Sequence, residues 1–402
     1  MSAPASALAA PAPARPDGFA LGLALAALAA LSLVVARDVG TRQLLLLWIG
    51  VGLGASLFHA SFGFTGGWRT LLARGGSRGV RAQILLLALS SVLFFPVVAG
   101  ALPGVRAAAA LAPAGLSVVV GAFLFGAGMQ LGGGCGSGTL FTAGSGHVRM
   151  LVTLAFFVAG SVIGTAHLHW WAELPSIGRI SLLAAGWAPA LVAQLAVLGA
   201  LYLAVTRWER RRHGRVRPLL ERDGRPFLVR LARGPWPLWW GAVALSLLGL
   251  ATLLVAGHPW SITFAFALWG AKLAQAAGVD VAQWPYWNGA YQQLALSRSV
   301  LYETTSVMDF GLLLGAMAAA GAAGRFAPAE PLPARSLLAA VLGGLLMGYG
   351  ARLAYGCNIG GMLAGIVTGS LHGWLWLAAG FAGSALGVRL RPWFGLDGGG
   401  RR

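Results

Sequence analysis

Apolar runs of bilayer length recur along the whole chain, at 19–36, 42–60, 83–102, 116–133, 150–167, 187–206, 236–257, 262–278, 300–322, 337–355 and 373–390. A membrane helix needs about 20 mostly apolar residues. The runs therefore predict an all-α, multi-pass membrane protein with about nine to eleven spans, the shorter runs being half-helices. Composition agrees: 57% of the 402 residues are hydrophobic and 10% are charged, against about 25% charged in an average soluble domain. Gly accounts for 60 residues, which suits helices that approach closely or break inside a bilayer. Run 19–36 has the look of a signal peptide, but further spans come after it and no clear cleavage pattern does, so it reads as the first membrane helix.

The formal net charge is +18. The cations are nearly all Arg and lie between the apolar runs, the pattern of cytoplasmic membrane loops, so nucleic acid is not an expected partner. The longest polar stretch, 207–234, holds Arg210, Arg211, Arg212, Arg215, Arg217, Arg222, Arg225, Arg230 and Arg233 against Glu209, Glu221 and Asp223. It reads as a basic cytoplasmic linker that also suits anionic membrane lipid or an acidic partner. A second polar loop, 61–82, carries Arg69, Arg74, Arg78 and Arg81.

The linker separates two related halves. Segment 126–142, GAGMQLGGGCGSGTLFT, aligns with 348–364, GYGARLAYGCNIGGMLA. Gly134, Cys135 and Gly138 fall on Gly356, Cys357 and Gly360, and after one insertion Ala159-Gly160-Ser161 falls on Ala382-Gly383-Ser384. The chain has two cysteines, and they occupy equivalent positions. The expected organisation is a tail (1–18), a first repeat with a connecting helix (19–206), the linker (207–234), a second repeat (235–391) and a tail (392–402). The short runs near the cysteines favour inverted repeats with broken or re-entrant helices meeting at the midplane.

Each repeat runs a Gly-rich apolar helix into Gly-Cys, then a small or polar pair, then Gly. Consecutive glycines interrupt a helix, and the freed N–H groups must be satisfied by protein or by a solute in a wet cavity. The residues after each break start a half-helix whose N-terminus favours an anion. A thiol is a weak, soft hydrogen-bonding group, poorly matched to hard oxyanions and suited to a solute that presents sulfur. The candidate binding residues are Cys135, Gly134, Gly136, Ser137 and Gly138 in the first repeat, and Cys357, Gly356, Asn358 and Gly360 in the second. The repeat-equivalent pair Gln130 and Arg352 joins them, because a cation at membrane depth is a functional candidate by default. The plainer role for Arg352 is a surface position or pairing with Asp309. Glu303 and Asp309 read as structural pairing, with proton coupling the alternative. His147, Arg149 and His372 read as interfacial, and His167, His169, Trp170 and Trp171 as an aromatic belt. The sequence contains no phosphate-binding loop, metal-ligand cluster or hydrolytic triad, so the expectation is no enzyme, no cofactor and no metal. A membrane sulfurtransferase carrying persulfide on either cysteine is the alternative.

These residues resemble the YeeE/YedE family of bacterial inner-membrane sulfur (thiosulfate) transporters. The motifs that carry the likeness are Gly134-Cys135-Gly136-Ser137-Gly138-Thr139-Leu140 and GARLAYGCNIGGMLAGIVTGSLHGW at 350–374, with FGFTGGWR at 62–69 and SVMDFG at 306–311 in support. The resemblance implies a two-repeat helical protein with loops meeting at its centre, a small sulfur anion handed along by S–H contacts with Cys135 and Cys357, and a small cytosolic sulfur-carrier protein as partner. It also implies a third cysteine in a Phe-Cys-Phe setting. This chain has Gly63 there, so a three-thiol relay is absent, and a selenium-containing solute becomes an alternative to thiosulfate.

Overall fold

The structure, a computed structural model, describes residues 15–220, 226–326 and 332–396. Tail residues 1–14 and 397–402, and Glu221, Arg222, Asp223 and Arg225 of the linker, lie outside the described residues.

The helices of the first half are α1 (Gly18–Asp38), α2 (Thr41–Ala60), α3 (Phe64–Arg69), α4 (Arg78–Val98), α5 (Leu116–Gly132), α6 (Gly136–Gly144), α7 (Val148–Ala172) and α8 (Trp187–His213). The second half holds α9 (Phe227–Arg233), α10 (Leu238–Ala256), α11 (Thr263–Ala276), α12 (Ala290–Ser297), α13 (Thr304–Ala322), α14 (Ala334–Leu353), α15 (Ala364–Val367) and α16 (Leu371–Leu390). Ten segments among the described residues are long and apolar enough to cross a membrane, and two of them, Leu116–Gly144 and Ala334–Val367, contain the cysteine breaks. The run at 262–278 forms α11, which has 14 residues. It rises about 21 Å, short of the roughly 30 Å hydrocarbon core.

Helix α8 continues past the apolar run at 187–206 and takes the first arginines of the linker into its last turns. Glu209 explains the extension. It is buried, accepts a hydrogen bond from Ser77 Oγ at 2.6 Å and pairs with Arg81 at 3.4 Å. Arg81 also donates to the Arg217 carbonyl. The basic linker is thereby pinned to α4.

The helices pack backbone to backbone through glycine. A methyl group at Gly383 would overlap the Phe123 carbonyl, fixing α16 on α5, and one at Gly348 would overlap the Phe157 carbonyl, fixing α14 on α7. Gly50, Gly54, Gly311 and Gly315 bring α2 and α13 together in the same way. Lipid gives no hydrophobic drive to join helices, so this close approach and its van der Waals contact supply the cohesion. The pairing interleaves the halves, because each broken helix packs against the helix that comes after the other break. Helices α5 and α14 run antiparallel: Gly121 lies beside Gly350 and Leu353, and Gly128 beside Gly343 and Met347.

Gly383→Leu is expected to cost about 3 kcal/mol or more through overpacking and to remove monodisperse protein from detergent extracts. Gly199→Leu faces open space and is expected to purify like the parent. Size-exclusion profiles of the two variants check this.

Candidate functional site at the two helix breaks

Helix α5 ends at Gly132, and Gly133 turns the chain with φ of 93°. The carbonyls freed there are met by two side chains of α7. Arg149 donates Nη1 to Gly132 O at 2.7 Å and Nη2 to Leu131 O at 2.6 Å, while Thr153 Oγ1 reaches Gly132 O at 3.3 Å. A guanidinium at a helix C-terminus also meets the negative end of the helix dipole. In the second half the chain turns at Tyr355 and Gly356, with φ of 57° and 146°. Trp376 Nε1 satisfies Gly356 O at 3.0 Å. A side chain at Gly356 would overlap the Gly361 amide, so glycine is required by space as well as by φ.

Each cysteine then caps the next segment in nearly the same backbone conformation. Cys135 has φ −83° and ψ −168°, and Cys357 has φ −83° and ψ −166°. Cys135 Sγ lies 3.5 Å from Ser137 Oγ, and the Ile359 N–H donates to Cys357 Sγ at 3.4 Å. The capped segments themselves differ between the halves. After Cys135 comes the nine-residue α-helix α6. After Cys357 comes a π-helical turn, Asn358–Leu363, and only then α15. A regular half-helix is therefore found after the first break alone.

The two breaks touch. A methyl group at Gly136 would lie 2.9 Å from Cys357 Sγ, with Ile262 just beyond, and one at Gly138 would lie 3.4 Å from Cys135 Sγ. A methyl group at Gly360 would lie 2.7 Å from Ser261 Oγ. Gly136 thus leaves room for the thiol of the other break, Gly138 for the thiol of its own, and Gly360 for the segment that leads into α11.

A vestibule of about 630 Å³ leads from the linker face to the first break. Exposed Arg215 and Arg217 stand at its mouth, Arg69, Arg74 and Arg78 line it further, and Gly133, Gly134, Cys135 and Gly138 lie along its inner wall. Its one carboxylate, Glu209, is the one already bound to Ser77 and Arg81. Five guanidinium groups around a concave surface focus a positive field on the thiol. Gly63 also lines the vestibule in an extended conformation, and a methyl group there would meet nothing within 4 Å. Gln83 holds this stretch, donating Nε2 to Gly63 O at 3.0 Å and accepting from Trp68 Nε1 at 3.0 Å.

Several buried polar atoms around the breaks have no hydrogen-bond partner among the described residues: Thr65 Oγ1, Thr139 Oγ1, and both amide atoms of Asn358. Buried polar groups are normally paired, so these hydroxyl and amide groups stand out from the rest of the interior. Thr65 and Thr139 give no signal in the sequence, because a hydroxyl in a membrane helix has no spacing signature.

Gln130 and Arg352 are placed differently from the cysteines. Gln130 is fully buried and ties helices together, its side-chain amide donating to Ser384 Oγ at 2.6 Å and Thr65 O at 3.2 Å while its backbone carbonyl accepts from Arg391 at 2.7 Å. Arg352 lies apart from the vestibule, donates to Tyr286 Oη at 3.3 Å, and is not bonded to Asp309, whose two oxygens have no partner. Glu303 caps α13, accepting from Thr305 N at 2.8 Å and Ser306 N at 2.6 Å, so it does not pair with Asp309 either. His372 is buried rather than interfacial, 2.7 Å from Ser370 Oγ. His167 stacks on Trp170 with centroids 5.4 Å apart, and Trp171 donates to Tyr349 Oη at 2.9 Å.

Interrupted helices whose broken ends face one another inside a membrane bundle define a class of solute-transport proteins. The sequence places this chain within that class: residues 59–386 match the sulphur transport family, and the chain belongs to it. It is 26% identical to the thiosulfate transporter TsuA of Escherichia coli (strain K12) over 364 residues, covering 86% of this chain and 92% of that protein. It is 26% identical to TsuA of Spirochaeta thermophila over 271 residues, 64% of this chain and 72% of that protein. It is 33% identical to the probable transporter YedE of Escherichia coli (strain K12) over 147 residues. That match covers 37% of this chain and spans little more than a third of YedE's length, 36%.

Cys135 lies at the vestibule wall, whereas Cys357 does not line it. A small charged methanethiosulfonate applied from the linker face is expected to modify Cys135 at least about tenfold faster than Cys357. Mass spectrometry of the two cysteine peptides checks the order.

Proposed function

We propose that this chain is an inner-membrane transporter or channel for a small sulfur-containing anion of the thiosulfate class, handed between Cys135 and Cys357 by weak S–H contacts. The observation that carries the reading is the arginine-lined vestibule ending at Cys135, with Cys357 Sγ against Gly136 on the far side. The arginines concentrate the anion. The thiols contact its terminal sulfur through soft, shallow interactions that let it leave again. The amide of Asn358, unpaired on both atoms, orients its oxygens. The N-terminus of α6, capped by Cys135, adds backbone donors and the positive end of a helix dipole. The antiparallel run of α5 and α14, with one break in each segment, supports inverted repeats around this path.

The relay has two thiols. Gly63 leaves open space where the family resemblance expects a third, so the anion covers the vestibule step under the arginine field alone. The basic mouth, facing the linker, suits a small cytosolic sulfur-carrier protein with an acidic surface as acceptor.

The test is growth of a bacterial host that lacks its own sulfur-anion uptake, supplied with thiosulfate as sole sulfur source. The parent chain is expected to restore growth. Cys135→Ser and Cys357→Ser are each expected to slow it at least about tenfold while immunoblots find the variants in the membrane fraction. Growth of both variants at the parent rate would remove the cysteines from the pathway.

A further inference from the structure

Asp309 is the acid that the pathway leaves unexplained. It is 0% exposed, and neither carboxylate oxygen has a partner. Its helix touches α6 where a methyl group at Gly144 would overlap the carbonyl of Leu313, one helical turn from Asp309, and the first residue of α6, Gly136, packs against Cys357 Sγ. Among the described residues, no charged or titratable group on the elements around it is hydrogen-bonded to it. On α2, Arg42 donates to the carbonyls of Val255 and Ala256, and His59 stacks on Trp236. On α11, Lys272 donates to the carbonyls of Leu296 and Arg298. Helix α6 carries no titratable side chain. On α1, Asp17 caps its own helix, and Arg37 and Asp38 sit at the other end. On α9, Arg230 lies over the Trp240 ring and Arg233 is in the last turn. Glu303 caps α13 itself and accepts from Tyr291 Oη at 3.2 Å.

An isolated carboxylate in an apolar interior carries a large desolvation cost. A substrate anion arriving beside Cys357 adds a second negative charge to the same low-dielectric region, where like charges repel strongly. We propose that Asp309 is a proton-binding site, protonated while the anion occupies the Cys357 side of the path and deprotonated as the anion departs, so that anion and proton move together. This rests on the anion-pathway reading. The proton arrives from the side the anion comes from and leaves toward the side it goes to, with no bond other than the carboxylic O–H made or broken. Because each occupant binds better in the presence of the other, the coupling is reciprocal.

Asp309→Asn keeps the shape and stays neutral, and two measurements read it. In infrared difference spectra of the purified protein at neutral pH, the parent is expected to gain a protonated-carboxyl band when thiosulfate is added, and Asp309→Asn to lack it. In proteoliposomes, an inward proton gradient is expected to raise thiosulfate influx about fivefold or more for the parent and to leave Asp309→Asn unchanged. A carboxylate that stays ionised with thiosulfate bound overturns the proposal, as does an equal gradient response in the two proteins. Failure of both proteins to carry thiosulfate contradicts the anion-pathway reading instead. The infrared band then decides for Asp309: gained on adding thiosulfate it supports the proton site, and absent with thiosulfate present it overturns it.

Discussion

A helix broken away from water exposes N–H and C=O groups that lipid cannot satisfy, and this structure is organised around meeting that demand twice. At the first break Arg149 and Thr153 take the carbonyls that α5 gives up. At the second, Trp376 takes the Gly356 carbonyl. Both partners come from helices packed on the broken ones, so the breaks and the helix packing stabilise each other. A cation that would be costly at membrane depth is tolerable at Arg149, because its donors meet backbone acceptors directly.

The glycines serve the same arrangement. Positive φ at Gly133 and Gly356 lets the chain turn. Gly136 leaves the space into which the opposite thiol fits, while Gly138 and Gly360 leave space for Cys135 and Ser261. Elsewhere, glycines such as Gly348 and Gly383 bring helices into backbone contact. The interleaved pairing of α5 with α16 and α14 with α7 then holds the two cysteines at one place. Neither half could form its side of the passage alone.

Much of this was legible in the sequence. Span positions come from hydropathy, which reports burial in lipid directly. The breaks come from glycine runs, and the likeness of the two cysteines appears in their shared backbone angles. The features that were not legible depend on rotation about a helix axis and on tertiary partners. Repeat alignment put Gln130 and Arg352 in register with the cysteines, but register does not say which face a side chain occupies. Gln130 turns to Ser384 and Arg352 to Tyr286. The π-helical turn after Cys357 and the extension of α8 to Glu209 were hidden for the same reason, since both are decided by neighbours distant in sequence. Arg149 read as interfacial because its acceptors, the carbonyls of Leu131 and Gly132, exist only once α5 has broken.

In the proposed pathway a positive vestibule, a soft thiol and an unpaired amide divide the work of moving an anion through an apolar barrier. Field gathers it, sulfur contacts carry it, and hydrogen-bond donors replace part of its water. The central claim is that both thiols lie on one passage through this chain alone. It is tested most directly by radiolabelled thiosulfate influx into proteoliposomes containing only the purified protein. The account predicts saturable influx by the parent chain and background influx when both Cys135 and Cys357 are serine. Influx by the double variant equal to that of the parent would contradict it.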